Sequence, residues 1–191
     1  LDWSNSDVYA SYSKVGLMKG LIIYSSVDGH TKKISERILS KLDSGDDYEL
    51  ISLDDLGDDH IEKADKILVG ASIRYGKYRR NLLDFFNSYS DVLIRKKTAF
   101  FSVNVVARKE GKNKPNNNPY LIKLLKKISF KPDLIEVFAG VVDYPKYNFF
   151  DKYIILFIMF LTKGPKDLSK THEFTDWDKV DLFAKLFSDL R

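Results

Sequence analysis

Four short apolar runs, each opening into a polar or glycine-bearing loop, punctuate the chain: GLIIYS at 20–25, KILVGA at 66–71, TAFFSVN at 98–104 and LIEVFA at 134–139. Runs of this length, apolar at successive positions, suit strands covered on both faces of a sheet. Tyr48–Leu53 alternates and predicts one more strand. Between the runs the spacing becomes helical. Ile34, Ile38, Leu39 and Leu42 share a stripe of Thr31–Leu42, and Leu82, Leu83, Phe85 and Phe86 give Arg79–Tyr89 an apolar face. Asp54–Lys66 leaves room for a short helix. A last helix, capped by Thr175 or Asp176, presents Trp177, Val180, Phe183, Phe187 and Leu190. Strands separated by helices require a parallel sheet with right-handed crossovers, and five of them fit the order 2-1-3-4-5. The expected fold is α/β, with helices on both faces and a long insertion after the fourth strand.

The 191 residues suffice for one domain, read as 18–191, behind a polar leader or tag at 1–17 that has no signal-peptide pattern. No cysteine is present, which excludes disulfides, thiol catalysis and cysteine-held zinc or iron–sulfur clusters. His30, His60 and His172 lie too far apart for metal-ligand spacing, so no metal is expected. No apolar run reaches the 18 residues expected of a membrane-crossing helix.

Two segments exceed what such a domain needs. Residues 105–132 hold eight bases and one acid, a charge of +7, which against +4 for the whole chain leaves −3 elsewhere. A local basic block points to an anionic partner. Within it, Leu121, Ile122, Leu124, Leu125 and Ile128 alternate with Lys123, Lys126, Lys127 and Lys131, the pattern of a basic amphipathic helix on a membrane surface. A dimer contact beside a solvated basic loop is the alternative. The second segment, 149–162, is apolar nearly all round as a helix. It is about 21 Å long, too short to span a hydrocarbon core of about 30 Å. A core helix, an interfacial membrane helix and an oligomer contact all remain open for it.

Ligands of such sheets sit at the carboxyl ends of the strands. Three loops arrive there. Ser25–Thr31 places hydroxyls and Gly29 between a strand and a helix start, where backbone N–H groups and the helix dipole attract a phosphate. It lacks both GxxxxGK[ST] and GxGxxG, so neither an ATPase nor a Rossmann dinucleotide site is expected. The second loop, 70–78, offers Gly70 and Gly76 for close approach to a flat ring, Tyr75 and Tyr78 to stack on it, and Arg74 and Lys77 as charges. The third, 102–108, has backbone that can border the same ring.

SVDGHT at 26–31 resembles the phosphate loop of flavodoxins, although Val27 and Asp28 replace its usual hydroxyls. GASIRYGKY at 70–78, FSVNVVARK at 101–109, AGVVDYPKYNFFDKYIILFIM at 139–159 and TDWDKV at 175–180 resemble the flavodoxin-type, quinone-dependent protoporphyrinogen IX dehydrogenases of bacteria. The resemblance spans about 18–187 and implies a long-chain flavodoxin-like fold holding FMN. It implies oxidation of protoporphyrinogen IX in haem synthesis, with electrons passed to menaquinone or ubiquinone. It also implies a peripheral position on the membrane surface, at the cytoplasmic side of the inner membrane. Ser26, Val27, Asp28, Gly29, His30 and Thr31 would hold the phosphate. Ala71, Ser72, Ile73, Arg74, Tyr75 and Gly76, with Ser102, Val103, Asn104, Val105, Ala107 and Arg108, would border the isoalloxazine. Arg74, Lys77, Tyr78 and Arg108 are candidates for the porphyrinogen, the three bases pairing with its propionates. No catalytic side chain is assigned, since the chemistry lies on the cofactor.

Other functions fit less well. A carrier flavodoxin is expected to be acidic, whereas this chain has a pI near 9.0. A nicotinamide-fed quinone reductase finds no dinucleotide fingerprint. A membrane adaptor leaves the phosphate loop without a purpose. No nucleic-acid-reading module is present, and a homo-oligomer remains open.

Overall fold

A computed structural model describes residues 18–42 and 45–191; the leader read at 1–17 lies outside the described residues. Strands β1 (Lys19–Ser25), β2 (Asp47–Ser52), β3 (Lys66–Ser72), β4 (Lys97–Val103) and β5 (Leu134–Phe138) form one parallel sheet in the order β2-β1-β3-β4-β5. Ser25 pairs with Ala71, and Ala71 with Ser102. The central strands therefore finish level, and their loops leave side by side.

Alternation along the strands builds two cores. Helices α1 (His30–Leu39), α2 (Asp58–Lys63), α3 (Arg80–Ser88), α4 (Ser90–Leu93), α5 (Pro119–Leu125), α6 (Phe149–Leu161) and α7 (Trp177–Ser188) follow in chain order. On one face Leu21, Ile23, Ile67, Val69 and Phe100 meet Ile61 of α2, Leu82 and Phe86 of α3, and Leu121 and Leu124 of α5. On the other, Ile22, Leu68 and Phe101 meet Ile34 and Ile38 of α1 and Val180, Phe183 and Phe187 of α7. Asp176 caps α7 by accepting from the Lys179 N–H at 3.0 Å. Thr175, the other sequence candidate, is engaged elsewhere.

Two expectations change. The insertion forms a 3-10 turn at Val105–Arg108 and the two-turn α5, whose apolar side is already covered. Leu121, Leu124, Ile128 and Phe130 are buried in the domain's own core, with the Phe130 ring 5.5 Å from that of Phe86. That apolar face is not available to lipid, while Lys123, Lys126, Lys127 and Lys131 are exposed. Second, strands β6 (Val141–Asp143) and β7 (Thr171–Glu173) pair antiparallel after β5 and carry α6 between them. Three-residue strands leave no periodicity to read. Met159 alone of α6 is buried, against Val142 and Tyr144, so the core-helix reading of 149–162 fails. Phe149, Phe150, Tyr153, Phe157, Phe160 and Leu161 are each more than half exposed. Among the described residues no helix is long and apolar enough to cross a membrane.

Candidate functional site

A cleft opens where the loops after β1, β3 and β4 leave the sheet. It encloses about 890 Å³ of space, part of it open to solvent. Of the residues expected from sequence, Ser26, Asp28, His30, Thr31, Ser72, Ile73, Arg74, Tyr75, Gly76, Val103, Asn104 and Val105 line it.

The first loop turns through Gly29, whose φ of 84° is the left-handed conformation that glycine adopts without penalty. The Ser26 hydroxyl oxygen accepts from the Gly29 N–H at 3.0 Å. The first intrahelical bond of α1 runs from Lys33 to the Gly29 carbonyl, which leaves the N–H groups of His30, Thr31 and Lys32 without helical acceptors. Beside them the Thr31 hydroxyl, 1% exposed, has no hydrogen-bond partner. An orphaned buried hydroxyl at a helix N-terminus, next to backbone that leaves room, suits an anionic oxygen cluster. The residues present therefore fit a cofactor phosphate.

The His30 ring points to another task. Thr175 donates its hydroxyl proton to the Ala139 carbonyl at 3.0 Å, so the 2.7 Å contact between Thr175 Oγ1 and His30 Nε2 places the proton on Nε2. Burial holds the His30 pKa below its ordinary value, with Glu173 acting against and Lys33 with that trend. The ring is a neutral tie between α1 and the segment before α7.

Asp28, the residue that breaks the flavodoxin pattern, donates no charge to the phosphate side unopposed. Arg74 Nη1 donates to its Oδ1 at 2.8 Å, and Arg74 Nη2 donates to Oδ2 of Asp151 in the first turn of α6. The Tyr75 hydroxyl also donates to Asp151. Arg74 and Lys77 close a tight turn by paired backbone bonds of 3.0 and 3.1 Å, with Tyr75 at φ 49° and Gly76 at φ 77° between them. A tyrosine in that conformation is uncommon, and its bond to Asp151 helps hold it there.

Several expected residues stand elsewhere. Tyr78 lies against the core and donates to the buried Ser102 at 2.7 Å, and burial raises its pKa strongly. It does not stack in the cleft. Ser102 also accepts from Asn104, and Asn104 Oδ1 accepts from Asn118 of the insertion, a buried polar chain that fixes the third loop. Gly70 makes room for Phe101, whose ring atoms come within 2.1 Å of where a Cβ would stand. Its role is packing under the sheet. Ala71 and Ala107 are buried. Arg108 turns away from the cleft and donates to the Val105 carbonyl and to both oxygens of Thr162 at the end of α6. Burial lowers its pKa. Val27 is exposed, and Lys77 is outside the lining.

The sequence reading missed the other wall of the cleft. Tyr120 from α5, Val141 and Val142 from β6, Tyr147, and Ile155, Ile158 and Met159 from α6 form it. Tyr120 stands 3.8 Å from where a Gly76 Cβ would lie.

A level parallel sheet with an anion-ready first loop and a ring-sized cleft beside it defines the flavodoxin class. Residues 21–169 match the flavodoxin domain family. A protoporphyrinogen IX dehydrogenase [quinone] of Leishmania major is 39% identical over 174 residues, covering 90% of this chain and 75% of that protein. The protein of the same name in Escherichia coli K12 is 35% identical over 174 residues, covering 91% of this chain and 96% of that one. The crystal structure of flavodoxin 1 from Bacillus cereus has a TM-score of 0.53 at 18% identity, covering 90% of this chain and 97% of its own, and shows the shared fold. The chain belongs to the flavodoxin domain family and, within it, to the quinone-dependent protoporphyrinogen IX dehydrogenases, flavoprotein oxidoreductases.

Proposed function

We propose that this protein binds FMN in the cleft, oxidises protoporphyrinogen IX to protoporphyrin IX, and passes the electrons to menaquinone or ubiquinone. The observation that carries the FMN assignment is the first loop, with Gly29 in the left-handed region and the orphaned Thr31 hydroxyl beside the N-terminus of α1. A single phosphate monoester satisfies that loop. The N–H groups of His30, Thr31 and Lys32 and the Thr31 hydroxyl would hold it, and Ser72–Gly76 and Val103–Val105 would border the ring. FMN, when bound, supplies the two-electron chemistry. The chain's own residues position the ring and keep water from it. The relatives' shared name supports the porphyrinogen as substrate. With Arg74 and Arg108 engaged by protein oxygens, Lys77 is the base left among the three proposed for the propionates.

The exposed apolar face of α6 supports a peripheral seat on a membrane, proposed at the cytoplasmic side of the inner membrane. Both the quinone and the porphyrinogen partition there.

The test is anaerobic. Purified protein is mixed with protoporphyrinogen IX, and flavin absorbance and porphyrin fluorescence are followed before and after a menaquinone analogue is added. Bleaching, porphyrin appearance and turnover only with quinone are expected. A flavin that porphyrinogen leaves oxidised, but that a nicotinamide cofactor reduces, would turn the reading to a general quinone reductase.

A further inference from the structure

The cleft has two unlike halves. One is the loop half, polar and built from the ends of β1, β3 and β4. The other is apolar and comes from β6 and α6, with Tyr147 at its edge. We propose that the apolar half binds the electron acceptor: it takes the head of a neutral isoprenoid quinone, whose tail leaves along the exposed face of α6. The inference rests on the quinone-linked function proposed above and assigns the acceptor a place in the same cleft.

Charge argues for a neutral occupant. Arg74 is the one lysine or arginine in the lining among the described residues, and its two terminal nitrogens donate to Asp28 and Asp151. A dicarboxylate entering this half meets no uncommitted cation and loses its water. A quinone brings two carbonyl oxygens and no charge. Tyr147 provides the matching donor. Its hydroxyl oxygen accepts from the Asp143 N–H at 3.4 Å, which leaves its own proton for an incoming carbonyl. Burial raises its pKa, so the phenol keeps that proton at neutral pH.

The path for a tail follows from helical geometry. Residues three and four apart share a face. Asp151, Ile155, Ile158 and Thr162 make one stripe of α6: Asp151 holds Arg74, Ile155 and Ile158 line the cleft, and Thr162 is held by Arg108. The adjoining stripe is Phe150, Ile154, Phe157 and Leu161, all exposed. Apolar surface thus runs from the cleft wall around to the outer face of the same helix.

The test separates the two half-reactions and adds a binding measurement free of turnover. Tyr147→Phe, and Ile155→Ser with Ile158→Ser, are compared with wild type by anaerobic stopped flow and by ultrafiltration of a tailed ubiquinone with the oxidised holoprotein. The expected result is at least tenfold weaker quinone binding and slower reoxidation by quinone, with bleaching by protoporphyrinogen IX within twofold of wild type. Phe157→Ser with Leu161→Ser should weaken the tailed quinone and leave a tailless one unchanged. Unchanged quinone binding in Tyr147→Phe and the isoleucine variant overturns the site. An equal loss of both half-reactions gives this wall to the porphyrinogen and overturns it too. If the isoleucine variant purifies without flavin, Tyr147→Phe, which removes one oxygen, decides alone. Wild-type protein that binds quinone through these residues but is not bleached by porphyrinogen would sink the proposed reaction and leave the acceptor site standing.

Discussion

Arg74 donates to Asp28 at 2.8 Å across the cleft, from the loop after β3 to the loop after β1. The pair resolves the one electrostatic oddity of the sequence, a carboxylate inside a phosphate-binding loop. The guanidinium engages that carboxylate and, through Asp151, anchors the loop to α6. Removing the cation leaves Asp28 facing the phosphate uncompensated. Arg74→Gln should weaken FMN binding by roughly tenfold at low salt, and adding Asp28→Asn in the same chain should restore most of it. The difference should shrink as salt rises, because the groups are partly exposed. Titration of apoprotein with FMN, read by flavin fluorescence, checks this. A double variant that binds no better than Arg74→Gln would refute the assigned role of Asp28.

Gly29→Val should give a folded, colourless protein. At φ 84° a Cβ on Gly29 meets no atom within 4 Å, so the penalty is conformational. A β-branched residue there costs about 1–2 kcal/mol, enough for the exposed loop to relax out of its anion-holding shape. Gly29→Asn, which tolerates the left-handed region, should stay yellow. Circular dichroism and the ratio of flavin to protein absorbance report the two effects. A valine variant with full flavin would place the phosphate elsewhere.

The sheet was legible because Leu21, Ile22 and Ile23, like Ile67, Leu68 and Val69, are buried on both faces and spell their strands without interruption. Strand order and the three loops followed from connectivity. Charges were less legible. Arg74 and Arg108 read as free ligands for carboxylates, but each finds protein oxygens brought close by α6, which is distant in sequence. Gly70 and Tyr78 read as ring contacts, yet one clears space for Phe101 and the other bonds Ser102 beneath the sheet. The apolar stripe of the insertion looked lipid-facing because its partner, the face carrying Phe86, lies more than thirty residues earlier in the chain. In each case the deciding neighbour was set by tertiary contact, and no local spacing reveals it.

Phe150→Ser, Phe157→Ser and Phe160→Ser together should release the protein from anionic liposomes while leaving FMN bound. Each ring is at least 61% exposed, so its loss removes little core packing. Lys166 stands 4.7 Å over the Phe160 ring and adds positive charge at the rim of this face, so binding should also weaken with salt. Flotation in a density gradient measures both effects. Unchanged flotation would remove α6 from the membrane contact. A fall in molecular mass by light scattering would show that a second copy covers the helix.

Stability in acid should depend on a pair at the opposite end of the sheet from the cleft, where Lys66 opens the central strand β3. The Lys66 ammonium, 0% exposed, donates to Asp46 Oδ2 at 3.1 Å and to the Ser188 carbonyl at 3.3 Å, with the Tyr48 and Phe187 rings beside it. Burial pulls the Asp46 pKa up, but hydrogen bonds from Lys66 and the Met18 N–H hold it below its ordinary value. A depressed carboxyl contributes stability in full above its unfolded pKa of about 3.9 and loses it as pH falls through the folded value. The wild-type urea midpoint should therefore drop steeply below about pH 4. Asp46→Asn, which strands a buried ammonium, should start about 3–5 kcal/mol lower and change less across that window. Adding Lys66→Met, which removes the stranded charge, should recover much of the loss. Urea titrations from pH 7 to pH 2 check the slope, and an Asn variant as acid-sensitive as wild type would remove the pair from this role.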